Sequence, residues 1–238
     1  MRSLFFTLFT ILSIHVSGQK TIVWFDAGLK AQYGAAGLYN SAIANSDKYN
    51  YEISKGYSFG GKIGVNFGYN GFSIDVMKSS AKQEFEKVNS ASIPTVNWDA
   101  LDVYVLFRNA KNLGYFEIGP KISFVSSVED NLEGTIIDRT ANYNSNNISG
   151  VVGFGANIMG TEGRFSGILG LRFEYELTDF VGESGKTAHA PLRDASVYAG
   201  DGYKKSNLAF AGVVFELNWG IGYFGRARCG ARTKFIMF

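Results

Sequence analysis

Histidine is the side chain that most often serves as the base of a hydrolytic site. Beyond the first twenty residues the sequence contains a single histidine, His189. It lies within residues 186–190, where no serine and acidic residue stand at the spacing of a nucleophile and its orienting partner. A solvated loop histidine is the plainer interpretation. The sequence therefore predicts no catalytic residue, and we expect a protein that is not an enzyme.

Acidic residues in the polar segments are the candidates for a metal site: Glu129, Asp130, Asp194 and Asp201. Carboxylates can hold calcium, but these do not show the spacing of an EF-hand loop. The single cysteine, Cys229, excludes an intramolecular disulfide and a cysteine-based zinc site. We expect no metal and no cofactor. The formal net charge of +2 gives no reason to expect a nucleic-acid partner.

The remaining charges recur at alternate positions of apolar segments, and the clearest case is residues 57–69. Every second residue there is apolar or glycine, and those between are small, polar or charged. A period of two is typical of a strand with one apolar and one polar face. Asn70-Gly71 favours a tight turn, after which the alternation resumes over residues 72–77. This stretch therefore predicts a β-hairpin with its apolar side facing lipid.

The same alternation predicts eight strands and a regular pattern of connections. The strands cover residues 21–33, 55–69, 72–77, 96–108, 115–125, 147–159, 166–178 and 207–224. Their connections alternate between long and short, as in barrels with short periplasmic turns and long extracellular loops. A soluble β-sandwich is the alternative, but nothing in that fold requires long and short connections to alternate. We predict an all-β transmembrane antiparallel up-and-down barrel, monomeric and embedded in the lipid of the bacterial outer membrane.

Pro120 is the awkward residue of the fifth predicted strand. Proline has no N–H to donate to a β-ladder. We therefore expect a bulge or a twisted position there.

The polar faces of these strands would enclose the barrel lumen. Eight strands leave an interior that side chains roughly fill, and isolated buried charges are costly, so we expect them to pair. Lys62 and Asp75 are a pair that a double-mutant cycle would test. We favour a structural network that plugs the lumen over a selective ion path. The predicted lumenal charges are Asp26, Lys30, Lys62, Asp75, Asp102, Glu117, Lys121, Arg172, Glu174, Glu176 and Glu216, with Arg108 also facing inward.

Aromatic residues concentrate near the predicted strand ends. Interfacial girdles of a membrane barrel account for them, and a ligand-stacking platform is the alternative. The residues are Tyr33, Tyr57, Tyr69, Phe72, Tyr115, Trp219 and Tyr223.

The two ends of the chain differ from the barrel region. Residues 1–18 combine Arg2, an apolar run and small residues at 16–18, which predicts a signal peptide and a mature start near Gln19. The barrel then covers residues 19–224. Residues 225–238 form a basic tail, expected in the periplasm. It is either disordered or a peptide that docks on an acidic partner or an inner-leaflet phosphate.

Three segments resemble a known family: the glycine-rich hairpin at 55–77, the segment YFEIGPKI at 115–122 and the segment ELNWGIGYF at 216–224. They look like the PorT-like or OmpX/OmpA-like small outer-membrane β-barrels, over residues 21–224. The resemblance implies a closed barrel without one shared activity, because members serve in secretion or assembly complexes, in adhesion or in envelope integrity. It assigns no functional residue.

We expect a non-catalytic structural or accessory subunit of a larger outer-membrane complex for secretion or assembly. A surface-loop adhesin or ligand-binding barrel is the alternative. A lipid-modifying enzyme or a small channel is a more remote one.

Overall fold

The computed structural model describes residues 23–90, 93–132, 135–160, 164–199, 202–226 and 233–237. The predicted signal peptide and Cys229 lie outside these ranges. No helix in the described part is long and apolar enough to cross a membrane. Short helices are α1 (Ser41–Ala44) and α2 (Glu183–Thr187), with 3-10 turns at Thr140–Asn142 and Ala195–Val197. The strands are β1 (Val23–Asn40), β2 (Tyr49–Glu52), β3 (Ser54–Phe67), β4 (Asn70–Lys87), β5 (Thr95–Lys111), β6 (Gly114–Leu132), β7 (Thr135–Asp138), β8 (Asn146–Met159), β9 (Phe165–Glu176), β10 (Ser206–Arg226) and β11 (Thr233–Met237).

Eight long strands form a sheet that closes on itself. Their order is β1-β3-β4-β5-β6-β8-β9-β10, each antiparallel to the next, and β10 pairs back onto β1. The closing ladder runs from Val23 opposite Phe224 to Asn40 opposite Ser206. Because every long strand has two neighbours, the barrel has no open edge along this circuit. The predicted eight-stranded antiparallel barrel is confirmed, and β2, β7 and β11 are short additions to it.

The side chains alternate as the sequence predicts. On β3, Tyr57, Phe59 and Ile63 point outward and are more than half exposed. Ser58 and Lys62 lie between them and are buried inside the barrel. The period of two therefore separates an apolar outer wall from a polar interior.

The two ends of the barrel differ, and we name them for what they carry. At the turn end, two-residue turns at 68–69 and 112–113 connect β3 to β4 and β5 to β6, and the end of β8 pairs with the start of β9. The β3–β4 turn is Gly68-Tyr69, not Asn70-Gly71 as predicted, because Phe67 pairs directly with Asn70. Gly68 has φ of 64°, which glycine adopts without strain. At the cap end, longer connections span residues 41–53, 88–94, 133–145 and 177–205.

Several strands continue far into segments that the sequence predicts as loops. β1 extends to Asn40, β4 to Lys87 and β6 to Leu132. In these extensions the polarity of the two faces is reversed: the outward side chains become polar or charged, and apolar side chains point inward. On β4, Gln83 and Phe85 point inward and are buried, whereas Lys82, Glu84 and Glu86 point outward. A sequence pattern that requires an apolar outer face therefore stops predicting a strand at the residue where the outer face becomes polar.

The inward residues of these extensions form an apolar core above the polar lumen. The connection between β9 and β10 folds back over the mouth and contributes Phe180, Val181, Ala190 and Leu192 to this core. Phe180 is fully buried, with its ring centroid 5.8 Å from Trp98 and 4.9 Å from Tyr143. We call this closed layer the cap. Its barrel-side members are Ala36, Leu38, Phe85, Val96, Trp98 and Val128.

Pro120 lies in β6 without a bulge. The pairs Tyr104–Lys121 and Phe107–Ile118 on either side follow one register, so the predicted bulge at Pro120 is wrong. Pro120 points outward and is exposed. The register shift between β5 and β6 falls at Asp99 and Ala100 instead.

Part of the predicted basic tail is a strand. Residues 233–237 pair antiparallel with the end of β10, from Gly222 opposite Met237 to Arg226 opposite Thr233. Phe235 contacts Phe224 and Phe25, with ring centroids 5.3 and 5.9 Å apart. The disordered alternative for this segment is therefore wrong for β11. The periplasmic placement of the tail stays a prediction.

Candidate functional site

The inward charges of the barrel meet in one connected cluster, which we call the lumenal network. It is built by side chains of β1, β3, β4, β5, β6, β9 and β10, all of them buried or nearly so. Its members are Asp26, Lys30, Lys62, Asp75, Asp102, Arg108, Glu117, Lys121, Arg172, Glu174 and Glu216.

Glu216 of β10 is the centre of the network on the turn side. Its carboxylate lies 2.6 Å from the Lys62 ammonium, 3.2 Å from Lys30 and 2.7 Å from Arg108. Lys30 also donates to Asp75 at 2.5 Å. Three cations thus surround one fully buried carboxylate and compensate its charge.

Glu117 of β6 joins two guanidinium groups. Arg108 and Arg172 each reach it at 2.6 Å, one at either oxygen. The neighbouring strand β8 places Gly153 against this carboxylate, and a Cβ there would lie 2.9 Å from Glu117 Cγ and Oε1. The absence of a side chain at Gly153 thus makes room for Glu117 between its two partners.

Glu174 of β9 organises the part of the network nearest the cap. It accepts from Lys121 at 2.5 Å, from the Tyr104 hydroxyl at 3.1 Å and from Gln32 at 3.2 Å. The Arg172 guanidinium lies 4.9 Å from the centre of the Tyr104 ring. The fully buried Tyr104 therefore connects the two halves of the network.

The pairing differs in places from the sequence expectation. Lys62 and Asp75 face each other across β3 and β4, but Lys62 binds Glu216 and Asp75 binds Lys30. Each lysine side chain reaches past the adjacent strand to a carboxylate on the second strand along the sheet. Glu176 lies apart from the network, and its carboxylate accepts from the Leu208 N–H and the Thr178 hydroxyl.

The sequence-based prediction placed one aromatic residue on the wrong face of its strand. Tyr115, predicted for the girdle, points inward and is buried. Its ring centre lies 4.4 Å from the Arg108 guanidinium. Its place in the polar alternation, two residues before Glu117, was the signal that could have shown this. Tyr33, Tyr57, Phe72 and Trp219 do lie on the outer wall, and Tyr69 is exposed in the β3–β4 turn.

A small cavity separates the lumenal network from the cap. Its volume is about 50 Å³, and its lining includes Asp102, Lys121, Ser123, Ser149 and Trp98. A space of this size has room for a few water molecules. Asp102 Oδ1 has no hydrogen-bond partner among the described residues, so water in this cavity would satisfy it.

The cap carries a second, smaller polar cluster. Asp130 at the end of β6 is buried, and Arg193 Nε donates to it at 3.1 Å. Arg139 also acts electrostatically on this carboxylate. The Tyr143 hydroxyl lies beside Asp130 and Arg193, and burial raises the pKa of Tyr143 well above its usual value. We call these four residues the cap cluster.

The other candidate residues of the cap are separate from one another. His189 is half-buried beside Tyr198, with ring centroids 6.0 Å apart. Asp194 accepts from the Ser196 N–H at 3.0 Å and from the Tyr49 hydroxyl at 3.2 Å. Hydrogen bonding from the Ser196 hydroxyl lowers the pKa of Asp194. Within the described ranges, no three His, Cys, Asp or Glu residues gather as metal ligands would, and Asp201 lies outside those ranges.

Comparison with known proteins finds no family and a few solved structures of low sequence identity. No family model and no curated protein sequence matches the chain. The crystal structure of Neisserial surface protein A is 11% identical, covers 82% of this chain and 96% of its own, and has a TM-score of 0.42. Ail, the attachment invasion locus protein of Yersinia pestis, is 12% identical over 81% and 99%, with a TM-score of 0.35.

The translocator domain of the autotransporter NalP from Neisseria meningitidis is 8% identical over 92% of this chain and 95% of its own, with a TM-score of 0.27. The chain is similar in fold to outer-membrane β-barrel proteins. Its own fold assignment rests on the strand pairing that closes the sheet. The PorT-like part of the sequence resemblance stays a prediction.

Proposed function

We propose that this protein is a closed outer-membrane barrel, without catalytic activity, that presents the cap as a rigid binding surface outside the cell. The observation that carries the proposal is the cap itself. Its connections share an apolar core with the barrel strands, whereas unstructured loops would share none. Rigid elements hold binding groups in place better than mobile loops do.

The outer wall supports a membrane location. Large apolar side chains on every long strand are exposed, among them Leu29, Ile74, Val105 and Leu169. A continuous apolar surface of this size is unusual for a protein in water. From Val23 to Tyr33, β1 offers eleven residues, which matches the length of a tilted membrane strand.

Aromatic side chains flank this apolar wall. Tyr33 and Tyr57 face each other across β1 and β3 towards the cap end. Phe165 and Trp219 contact each other towards the turn end, with ring centroids 5.7 Å apart. Tyrosine and tryptophan favour membrane–water interfaces.

The interior argues for a closed lumen. Through Arg108 and Glu216 the lumenal network joins strands on opposite sides of the barrel, and the apolar cap lies above it. An ion would have to separate buried salt bridges and then cross an apolar layer. We therefore favour a binding protein over the small channel. In planar bilayers we expect the purified protein to show no conductance steps, and regular single-channel steps would exclude the closed state.

Surface labelling of intact cells tests the orientation of the cap. In a Cys229→Ser background, Ala195→Cys places a thiol on the exposed surface of the cap, and Lys111→Cys places one at the turn end. A membrane-impermeant maleimide should label Ala195→Cys on whole cells and Lys111→Cys only after the outer membrane is opened. The reverse pattern, or no difference, would overturn the proposal.

A structural or accessory subunit of an envelope complex remains the second candidate, and β11 favours it. β11 pairs with β10 on one side, and its other edge has no partner among the described strands. Its residues Phe235, Ile236 and Met237 are exposed. An open, apolar edge can accept a further strand from a partner protein. Gentle detergent extraction followed by mass spectrometry would show a stoichiometric partner that depends on residues 233–237.

A further inference from the structure

We propose that the cavity between the lumenal network and the cap binds one alkali-metal cation, held by the Asp102 carboxylate and the hydroxyls of Ser123 and Ser149. Such a cation would be a resident part of the closed barrel. It goes beyond the proposed function, because it does not depend on what the cap binds.

The lumenal network contains one more carboxylate than it has cations. Its five cations are Lys30, Lys62, Arg108, Lys121 and Arg172. Its six carboxylates are those of Asp26, Asp75, Asp102, Glu117, Glu174 and Glu216. A buried charge without a counter-charge is very unfavourable. The closed lumen therefore needs one further positive charge.

The excess negative charge is concentrated at Asp102. The Lys121 ammonium lies 3.8 Å from Asp102 Oδ2, but it donates to Glu174 at 2.5 Å. The Tyr104 hydroxyl is 3.5 Å from the same Asp102 oxygen. Four of the other carboxylates lie within 2.6 Å of a cation. Asp102 is thus weakly paired through Oδ2.

Asp26 is the other carboxylate without a close cation, but its surroundings leave less room. Lys62 lies 3.7 Å from Asp26 Oδ2, and the Asn66 amide donates to that oxygen at 3.1 Å. Gly64 lies directly against the other oxygen, Oδ1. Asp102 lines the cavity and Asp26 does not. An additional cation therefore has space beside Asp102.

The groups around this space suit a small cation. Asp102 is 2% exposed, and its Oδ1 has no hydrogen-bond partner among the described residues. Ser123 and Ser149, each 4% exposed, line the same cavity of about 50 Å³. Carboxylate and hydroxyl oxygens are ligands that hard cations favour, and water in the cavity can complete the coordination.

The size of the excess charge favours a monovalent ion. A divalent ion would leave the lumen with a net positive charge. In the described part of the chain, no three His, Cys, Asp or Glu side chains gather to hold such an ion. Water alone can donate to Asp102 Oδ1, but it adds no charge. A proton on one of the carboxylates is the competing means of compensation, and the experiment separates the two.

The test is equilibrium urea unfolding of the full-length protein in detergent micelles at fixed pH and ionic strength. Sodium chloride, and in a second series potassium chloride, replaces choline chloride, whose cation is too large for the cavity. Between about 10 and 100 mM of the alkali salt, the unfolding equilibrium constant should fall by up to about tenfold, as one-site binding to the folded state requires. Each sample is refolded in its own salt, so the ion needs no path through the closed barrel.

Asp102→Asn removes the excess charge and keeps the shape of the side chain. We expect this variant to lose the dependence on alkali salt. In choline chloride it should be at least as stable as the wild type, because no uncompensated charge remains. Asp99→Asn is the matched control on the outer face of the same strand, and it should keep the dependence.

Three results would overturn the site. The first is a wild type equally stable in sodium, potassium and choline salts, and a stability that then rises as pH falls would assign the compensating charge to a proton. The second is a salt dependence that persists in Asp102→Asn. The third is its loss in Asp99→Asn as well, which would show an effect of surface charge. The wild-type comparison decides the proposal even if Asp102→Asn does not fold.

Discussion

Arg108 and Glu216 meet across the full width of the barrel. Their strands, β5 and β10, lie opposite each other in the closed order of eight, yet the guanidinium binds both carboxylate oxygens, at 2.8 and 2.7 Å. A bidentate ion pair of this kind is among the strongest contacts between two side chains. It closes the lumen and connects two walls that share no backbone hydrogen bond.

Removing Arg108 should therefore destabilise the barrel strongly. Arg108→Gln leaves Glu216 and Glu117 buried with fewer cations, and we expect a loss of about 3–5 kcal/mol in the free energy of unfolding. In a cycle with Glu216→Gln, the double variant should lose at least about 1 kcal/mol less than the sum of the single losses. Equilibrium urea unfolding in micelles, followed by tryptophan fluorescence, gives these values. Strictly additive losses would show that the two residues act independently.

Glycines on β8 offer a matched test of packing around Glu117. In Gly153→Ala the new Cβ would contact a carboxylate that two arginines hold in place. We expect a loss of about 1–3 kcal/mol in unfolding free energy. Gly150→Ala is the control, because nothing lies within 4 Å of its Cβ position, and its effect should stay within about 0.5 kcal/mol. Equal effects would mean that strand propensity, not space, sets the cost.

The cap should unfold without the barrel when its core is damaged. Phe180→Ala deletes a fully buried ring between Trp98 and Tyr143, at a cost of about 3–5 kcal/mol. Trypsin should then cut after Lys186 and Arg193, while the circular dichroism of the strands persists. Phe173→Ala, on the outer wall, should leave the protease resistance of the cap unchanged. If trypsin still fails to cut Phe180→Ala, the apolar core is not what holds the cap together.

Acid should loosen the 3-10 turn at Ala195–Val197. The pKa of Asp194 is lowered in the folded protein, so its stabilising contribution is present above the unfolded pKa of about 4 and is lost as pH falls below it. The amide resonance of Ser196, whose N–H binds Asp194 at 3.0 Å, should shift with pH in this range. In Asp194→Asn the shift should vanish, and its persistence would assign the titration to another group.

Sequence alternation is sufficient to predict the barrel where the outer wall is apolar. Residues 57–67 show both faces and the inward position of Lys62 without any tertiary information. The inward positions of the lumenal charges follow from the same period. Their partners do not, because Lys62 and Lys30 reach carboxylates on strands that are distant in sequence.

The cap could not be predicted by the same rule. Beyond Lys78 the outward residues of β4 become polar and charged, while inward residues such as Phe85 become apolar. In isolation this pattern is that of an ordinary soluble strand, and between membrane strands it resembles a polar loop. The cap cluster was even harder to foresee. The pairing of β6 with β7 places Arg139 near Asp130, but Arg193 reaches Asp130 only through the folded connection between β9 and β10.

The inversion of faces along β4 also fixes how deep the barrel can sit in a bilayer. Phe72, Ile74 and Val76 face outward below the change, and Lys78, Lys82 and Glu84 face outward above it. If the barrel sat a few residues deeper, charged side chains would enter the hydrocarbon. The free-energy cost would be up to about 2–4 kcal/mol for a lysine that reaches the midplane. Rising by the same amount would expose apolar side chains to water. The position of this change along β4 therefore sets the depth of the barrel in the bilayer and holds the cap at a constant height above the lipid.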